Sequence, residues 1–482
     1  MSNNPRHVDL LVIGAGAGGM TAALTASLMG LDVLLVEKTD QIGGTSAVSA
    51  GSVWAPNSRH STDGKDSLEK ALTYLQRAIG NQMDLDRTLA FLKAAPEMIE
   101  LLETQTEVNF QAYLHHPDYF ATLEGATLSG RVLEPLPFDG SLLGNDFSKL
   151  RRPLPGFTLF GGMMVDRTDI SHLLRAKSNL KSLFYSLKIL ARFAVDRVRH
   201  KRGTRLVMGN ALVGRLYLAL KKQRVAIHTG TTVTSLQKIG NRISKAVLQD
   251  ESGSVEITVR AGVVLASGGL SHHSTLRQTL NPAELGNISA VVDSASGDGL
   301  NLAANVGGRV ASTQGSNSFW APVSHHKTAD GSTAVFPHFV LDRGKPGIIA
   351  VDQTGQRFVN EATTYHLFGE ALLETKKENA NGACFLICDD NFVNSYGLGL
   401  VRPGRFGLNA ALRDGYLQRA ETLSELAEKI SVPSTTLSAT VERCNDFALT
   451  GKDEDFSKGE DAYQLNMGDP RHQPNACLGE LK

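Results

Sequence analysis

The sequence is poor in cysteine and in long apolar runs. Its four cysteines form no CxxC pair and no CxxCH haem site; they are Cys384, Cys388, Cys444 and Cys477. So few cannot form a disulfide framework for a chain of 482 residues. No run approaches the ~20 apolar residues of a membrane-spanning helix, and no signal-peptide pattern precedes the first glycines. We therefore expect a reduced, cytoplasmic setting.

The sequence also lacks net charge and internal repeats. Its 49 Lys and Arg residues equal its 49 Asp and Glu residues, so no overall field attracts nucleic acid. No metal-ligand pattern stands out, and no second GxGxxG offers a site for NAD(P). With 41% hydrophobic and 20% charged residues the chain is that of a folded enzyme, and its length favours two domains.

The informative residues are concentrated in the first fifty. A short apolar strand over 8–13 leads into Gly14-x-Gly16-x-x-Gly19, a helix over 20–29 and a second strand over 32–36. In a dinucleotide-binding fold Gly14 makes the tight turn, Gly16 admits a pyrophosphate, and Gly19 lets the helix pack on the strand. Glu37, at the end of the second strand, would accept hydrogen bonds from the adenosine ribose.

The stretch "QIGGTSAVSAGSVW", residues 41–54, resembles the flavoprotein superfamily that includes fumarate reductase and the 3-ketosteroid dehydrogenases. The resemblance implies that this loop runs along FAD. Two later stretches, "ASGG" at 266–269 and "SGDGL" at 296–300, resemble further flavin-contacting elements of the same superfamily, and one strand residue matches a backbone contact to the adenine. The cofactor residues implied in this way are Lys38, Gly43, Gly44, Thr45, Ser46, Val233, Ser267, Gly268, Gly269 and Asp298.

These patterns predict an α/β protein with two domains. Residues 1–305 are expected to form a Rossmann-like FAD-binding domain, in which 224–237 alternates as one strand, Gly240-Asn241 makes a turn, and 262–266 forms another strand. Residues 306–482 are expected to form an inserted α+β cap domain. The tail, "GDPRHQPNACLGELK", resembles the connection by which such a cap returns to the FAD domain.

A closer resemblance covers essentially the whole chain. The segments "HPDYFATLEGATLSGR" and "RFVNEATTYHLFGE" look like the 3-ketosteroid dehydrogenases, in particular the Δ1-dehydrogenases. The resemblance implies that Tyr365 removes a proton from a 3-keto steroid, that Tyr119 assists it, and that FAD accepts the hydride. From the residues alone, either tyrosine is equally well explained as an ordinary buried side chain.

The family also binds the substrate carbonyl through a tyrosine and a glycine N–H of a "YAGxG"-like segment, an oxyanion-hole role. No such segment occurs in the 482 residues. The family pattern continues beyond the residues that match this tail, so we expect the chain to be shorter than its relatives at the C-terminal end.

Two other functions remain open. One is a fumarate-reductase-like enzyme for a small dicarboxylate, which would need cations in the cap; the candidates are Arg343, His325, His326 and His338. The other is an inactive chain that binds FAD weakly. In either enzyme the electrons would pass to an acceptor other than NAD(P), because no second GxGxxG is present.

Residues 180–202 form a predicted basic amphipathic helix. Its apolar face comprises Leu180, Phe184, Leu187, Leu190, Ala194 and Val198, and its lysines and arginines lie largely elsewhere. Such a helix can rest on an anionic membrane surface. The sequence favours the alternative, in which the apolar face packs on the domain and the basic face meets solvent.

Overall fold

The computed structural model describes residues 7–61, 66–286, 288–311, 315–327, 331, 333–378 and 382–482, so parts of both predicted domains lie outside it. Within these ranges the strands are β1 (His7–Ile13), β2 (Val33–Val36), β3 (Val53–Trp54), β4 (Phe110–Ala112), β5 (Val132–Pro135), β6 (Phe138–Asp139), β7 (Thr158–Leu159), β8 (Met163–Met164), β9 (Arg205–Leu206), β10 (Ala226–His228), β11 (Thr232–Ile239), β12 (Arg242–Asp250), β13 (Gly253–Leu265), β14 (Val323–Lys327), β15 (Thr333–Pro337), β16 (Ile348–Val351) and β17 (Phe385–Cys388).

The α-helices of the described residues lie between these strands along the chain or after the last of them. They are α1 (Ala17–Leu28), α2 (Leu68–Ile79), α3 (Leu85–Gln105), α4 (Arg167–Arg175), α5 (Leu180–Arg199), α6 (Met208–Lys222), α7 (Leu276–Leu280), α8 (Asp298–Asn305), α9 (Val340–Arg343), α10 (Tyr365–Glu378), α11 (Asp390–Tyr396), α12 (Leu408–Arg413), α13 (Leu423–Ile430), α14 (Ser434–Thr450) and α15 (Ala462–Met467).

The central feature is a six-stranded sheet in the order β10-β2-β1-β13-β12-β11. The first four strands of this order run parallel, and β12 and β11 continue the sheet antiparallel. All four residues of β2 are buried, as expected for a parallel strand covered on both faces. Helices α1 and α6 supply one covering layer. The α/β prediction is confirmed.

Two strand predictions were wrong in detail. The stretch 224–237 is two strands, β10 and β11, because the chain turns at residues 229–231: the N–H of Gly230 donates to the Thr39 carbonyl and that of Thr231 to the Glu37 carbonyl. The strand predicted at 262–266 is the end of β13, which starts at Gly253 and has two partners. Its first half pairs with β12 and its second half with β1. The turn at Gly240-Asn241 is confirmed.

Residues 323–467 contain two small antiparallel sheets, β14-β15 and β16-β17, packed with helices α9 to α15. A bonded group of four charged side chains lies inside this region, each at most 4% exposed. Arg357 bonds both Glu361 and Asp453 at 2.9–3.0 Å, and Lys458 lies 3.1 Å from Glu361. Burial would raise the pKa of Glu361, but Lys458 and Arg357 hold that pKa below its usual value. Two cations and two anions thus fix the segment that leads into α10.

Helix α5 presents its predicted apolar face to solvent, which contradicts the favoured interpretation of the sequence. Leu180, Phe184, Leu187 and Val198 are 53–84% exposed. The side that packs on the protein is instead the one carrying buried Ser182 and Ser186. The sequence identified the apolar side of α5 correctly. It did not identify which side of the helix the rest of the protein covers.

Of the helices that the structure describes, none combines the length and apolar character needed to cross a lipid bilayer. All four cysteines are unpaired.

Candidate functional site

The glycine motif forms a close turn between β1 and α1. Gly14 has φ +106°, and a Cβ there would lie 2.4 Å from the Ala266 carbonyl oxygen. A Cβ at Gly19 would lie 1.9 Å from the Gly14 carbonyl oxygen. Only glycine therefore permits the β1 turn, the start of α1 and the end of β13 to approach each other. Helix α1 begins at Ala17, three residues before the predicted start, because its glycines are part of its first turn.

Beside this packed turn the structure leaves room for a cofactor. A Cβ at Gly16 would meet nothing nearer than the Ser46 Oγ at 3.6 Å, and Gly18 and Gly269 have no neighbouring atom within 4 Å. Gly16 is the N-cap of α1, so the positive end of the helix dipole faces this open space. A phosphate-containing cofactor such as FAD fits this combination of an open backbone and a helix N-terminus.

The two halves of the predicted FAD site meet at this turn. Ser46 Oγ accepts a hydrogen bond from the Ala17 N–H at 3.1 Å, and the Gly43 N–H donates to the Ala15 carbonyl at 2.9 Å. Gly43 and Gly44 have φ of +117° and +48°, so the loop of residues 43–46 bends toward α1 with Thr45 exposed.

Glu37 lies at the end of β2, and both oxygens of its carboxylate have partners. One oxygen accepts the Ala15 N–H and the other the N–H and hydroxyl of Thr39, each at 3.0 Å. A carboxylate has about four acceptor positions, so capacity remains for ribose hydroxyls. Val233 follows closely after Thr231, whose N–H donates to the Glu37 carbonyl, and therefore lies near this acid.

The remaining predicted cofactor residues come together on the other side of the turn. Lys38 Nζ lies 2.6 Å from the Asp298 carboxylate and 2.5 Å from the Ser296 hydroxyl. Gly269 accepts the Gly297 N–H at 3.0 Å, and a Cβ at Gly299 would be 2.5 Å from the Ser267 Oγ. The segment 267–269, with Gly268 at φ +81°, thus packs against the start of α8. Lys38 and Asp298 pair with each other, which the sequence did not indicate.

Tyr119 and Tyr365 are 246 residues apart in sequence, yet their hydroxyls are in contact. The Tyr119 hydroxyl donates to the Tyr365 oxygen at 3.1 Å, and the two rings meet edge to face. Burial, followed by the proximity of Tyr365, raises the pKa of Tyr119 far above its usual value. Tyr119 therefore stays protonated and acts as a hydrogen-bond donor to its neighbour.

A buried ionic network holds the loop that carries Tyr119. The carboxylate of Asp118, the preceding residue, accepts hydrogen bonds from Arg131 at 2.8 Å and from the Trp54 indole N–H at 2.8 Å. Arg131 also bonds Asp66 through two nitrogens, at 2.7 and 3.1 Å. Trp54 ends the loop predicted to follow FAD, so this network ties Tyr119 to the predicted flavin loop.

Aromatic rings surround the tyrosine pair. Tyr463, on α15, packs edge to face on Tyr119 at 5.2 Å, and Phe319 and Phe339 approach Tyr365 at 5.3 and 5.4 Å. Phe319 is 63% exposed and forms the outer edge of this cluster. Burial also raises the pKa of Tyr463, which Arg343 partly offsets. The side chains packed around Tyr365 are therefore mainly aromatic rings.

The cations considered for a dicarboxylate do not converge. His338 bonds Asp342 through Nδ1 and Ser324 through Nε2, both at 2.6 Å. Arg343 is fully buried among backbone carbonyls. His325 and His326 are consecutive residues of β14 and so point to opposite faces of the strand. Among the described residues, no cluster of three metal-ligating side chains occurs either.

Comparison with known proteins agrees with this geometry. The model of the FAD binding domain family matches residues 9–480. The chain belongs to the FAD binding domain family. It is an FAD-dependent oxidoreductase, and FAD is its cofactor.

Individual members of the FAD binding domain family are similar over nearly the whole chain. The 4-oxocyclohex-2-ene-1-carboxylate 5-dehydrogenase of Sinomonas cyclohexanicum is 32% identical, over 98% of this chain and 80% of that protein. The 3-oxosteroid 1-dehydrogenase of Mycolicibacterium smegmatis is 32% identical, over 99% of this chain and 84% of that protein. The crystal structure of 3-ketosteroid Δ1-dehydrogenase from Sterolibacterium denitrificans, in complex with 1,4-androstadiene-3,17-dione, superposes with a TM-score of 0.89, with 33% identity, over 99% of this chain and 86% of that one.

Two residues near the site of this family member, Tyr463 and Asp118, were not predicted from sequence. Tyr463 reaches Tyr119 from α15, and Asp118 bonds Arg131. Arg343 was predicted only as a possible cation for a dicarboxylate, and it partly offsets the rise that burial causes in the pKa of Tyr463. Asp118 immediately precedes Tyr119, so its position in the sequence was the one available indication. Nothing local in the sequence marks Tyr463, because its role depends on where α15 packs.

Proposed function

We propose that this protein desaturates a ring next to a carbonyl group, with a 3-keto steroid as substrate. Tyr365 accepts the proton from the carbon beside the carbonyl, and a carbon–carbon double bond forms as the neighbouring carbon loses hydride. When bound, FAD supplies the hydride acceptor. The observation that carries this proposal is the contact of the two phenol oxygens at 3.1 Å inside an aromatic cluster.

The direction of that hydrogen bond supports these roles. Tyr365 accepts from Tyr119, so a negative charge on the Tyr365 oxygen meets a donor already in place. Because burial keeps Tyr119 protonated, it does not compete as the base. A fixed donor aimed at a charge that develops during reaction is the arrangement expected of electrostatic catalysis.

The apolar rings around Tyr365 favour a flat hydrophobic substrate over a dicarboxylate. The relatives' names share an oxo group on a ring, and one also carries a carboxylate. A carboxylate would need an accessible cation, and Arg343 has no exposed surface. We therefore place a steroid ahead of a small keto acid and of fumarate. The electrons leave reduced FAD to an acceptor other than NAD(P), in a reducing cytoplasmic setting.

Anaerobic mixing of the purified yellow protein with a 3-keto steroid, 4-oxocyclohexanecarboxylate or fumarate tests this function. The steroid should bleach the flavin and give an enone product by mass spectrometry. Tyr365→Phe should lower that rate by about 10²- to 10⁴-fold, as loss of a general base does. Tyr396→Phe is the matched control, since its hydroxyl bonds Asp469 away from the cluster. Turnover of fumarate alone, or full activity of Tyr365→Phe, would contradict the proposal.

We also propose that residues 1–305 act as the FAD-binding domain and 306–482 as the cap domain. The six-stranded sheet lies wholly within residues 7–265. Helix α10, which begins at Tyr365, lies in the second range.

A second proposal concerns α5, whose exposed face is suited to an anionic lipid surface. The exposed apolar side chains Leu180, Phe184, Leu187 and Val198 lie on a helix with one acidic residue and several basic ones. Helix α4 packs beside it and exposes Leu174 as well. An apolar stripe with flanking cations is the pattern of helices that lie in the membrane interface.

Vesicle sedimentation tests this surface. The protein should sediment with phosphatidylserine vesicles more than with phosphatidylcholine vesicles, and less at high salt. Phe184→Ser with Leu187→Ser should abolish binding, whereas Leu449→Ser, an exposed apolar residue on α14, should not. Vesicle binding that the double substitution leaves unchanged would overturn the assignment. So would a protein that does not bind vesicles but forms a dimer that the double substitution disrupts.

A further inference from the structure

Arg343 holds the chain on both sides of Tyr365. Its Nη1 donates to the carbonyls of Glu361 and Thr363 at 2.6 and 3.0 Å. Its guanidinium carbon lies 4.5 Å from the centre of the Phe368 ring, one turn further along α10. Thr363 precedes Tyr365 by two residues and Phe368 follows it by three, so one side chain fixes the start of the helix that presents the phenol.

Arg343 is itself rigidly placed. Its Nε donates to the His338 carbonyl at 2.9 Å, and its backbone N–H donates to the Asp342 carboxylate at 2.9 Å. The same carboxylate bonds the His338 ring at 2.6 Å. Helix α9 and the residues before it therefore provide a fixed support, and the guanidinium cannot swing away without losing several hydrogen bonds.

The positive charge of Arg343 is buried without an ion-pair partner. Within the part of the chain that the structure describes, no carboxylate lies within 4.0 Å of its guanidinium, and Nη2 has no hydrogen-bond partner. Burial lowers the pKa of Arg343 to about 10, so it remains charged at neutral pH. An unpaired buried charge is costly to a fold, which indicates a use beyond stability.

We propose that Arg343 is a positioning residue for Tyr365: its hydrogen bonds to the two carbonyls just before α10 set the phenol against Tyr119. This inference rests on the proposed role of Tyr365 as base. A small displacement of a reacting group can cost a large part of its rate, so a side chain that fixes the base matters without touching the substrate.

The other charged groups of the cluster have partners of their own. The titratable groups around Tyr365 are Tyr119 and Tyr463 and, on its own helix, His366 and Glu370, which pair with each other at 3.3 Å. Those around Arg343 are Asp342 and His338, bonded to each other, and Glu361, Arg357 and Lys458, which belong to the buried quartet with Asp453. Arg343 is thus the cation of this set that no carboxylate pairs with directly.

A tyrosine titration tests the inference without relying on turnover. The phenolate absorbance of Tyr365 is obtained as the difference between each FAD-loaded protein and the same protein with Tyr365→Phe. In Arg343→Met the ionisation midpoint should move up by about one pH unit, because the phenol is no longer held against its donor Tyr119. In Arg343→Lys it should move up as well, because lysine keeps the charge but not the planar guanidinium. Equal midpoints in all three proteins would overturn the inference.

Flavin reduction adds a kinetic readout. Arg343→Lys keeps a charge but loses the planar guanidinium that bonds three carbonyls. Its maximal rate of flavin reduction should therefore fall about tenfold or more with little change in KM. Arg215→Met is the matched control, an arginine that also donates to backbone carbonyls and lies near a phenylalanine ring, and which bonds Leu136 and Pro137 and not the segment of Tyr365. If the Arg343 variants fail to fold, Phe368→Leu removes the supporting ring; wild-type rate and midpoint there would equally refute the inference. Failure of wild type to oxidise ketones would instead concern the proposed function.

Discussion

Replacing Tyr119 by phenylalanine removes one hydroxyl and leaves the ring in place against Tyr463. The lost group is the donor of the 3.1 Å hydrogen bond to the Tyr365 oxygen. A hydrogen bond to a charged group contributes about 1.5–3 kcal/mol, and each ~1.4 kcal/mol corresponds to a factor of ten. The anionic form of Tyr365 should therefore be about 10- to 100-fold harder to reach in Tyr119→Phe.

This change has a specific sign in the pH dependence of flavin reduction. The rate rises with pH as the base becomes anionic, so losing its donor moves the rising limb up by about one to two pH units. Stopped-flow flavin bleaching under anaerobic conditions, measured across that limb, gives both its midpoint and its plateau. The plateau should change less than the rate at neutral pH.

Tyr74→Phe is the control for removing a neighbouring phenol. Its hydroxyl accepts the Phe120 N–H at 3.3 Å and does not contact Tyr365. A Tyr119→Phe enzyme with the wild-type midpoint, or one whose rate falls equally at every pH, would refute the idea that Tyr119 stabilises an anionic Tyr365.

Gly16→Ala should fold normally, because its Cβ would have 3.6 Å to the nearest atom, yet weaken FAD binding by filling the open space, as fluorescence titration of the apoprotein would show. Gly19→Ala should instead fail to fold stably, since its Cβ would lie 1.9 Å from a carbonyl oxygen; a soluble, yellow variant would contradict the assigned packing. Arg357→Met should lower the free energy of unfolding by about 3–5 kcal/mol in urea titrations, because it strands Glu361 and Asp453; a loss under 1 kcal/mol would show that the quartet is solvated. The pKa values of the Glu361 and Asp453 carboxyls are lowered despite burial. The stability that these carboxyls contribute is therefore present above pH ~4 and should be lost as the pH falls below it. Unfolding free energies that stay flat down to pH ~3 would contradict this.

The fold around the glycine motif was largely predictable because its evidence is local. Gly14, Gly16 and Gly19 lie between two apolar strands, and each glycine has a steric requirement that the sequence spacing already expresses. Two features of the strands were missed for a different reason: the break at Thr231, and the continuation of the strand ending at Leu265 back to Gly253. They depend on which neighbour each half of a strand pairs with, and single-sequence alternation contains no such information.

The candidate catalytic centre was only partly predictable. Resemblance pointed to Tyr119 and Tyr365, but their contact, and the positions of Arg343 and Tyr463, depend on tertiary packing between distant segments. The exposed face of α5 was missed because periodicity shows that a helix has an apolar side and not which side the protein covers. Sequence patterns predicted the elements, while the surroundings of each side chain required the fold.

The central claim is that Tyr365 is the base of an FAD-dependent ring desaturation. Anaerobic single-turnover bleaching of the flavin by a 3-keto steroid, compared between the unsubstituted protein and Tyr365→Phe, tests it most directly. We predict rapid bleaching with enone formation in the first, and bleaching slowed by at least about 10²-fold in the second with FAD still bound. Equal rates in the two proteins, or no bleaching by the steroid in either, would contradict the claim.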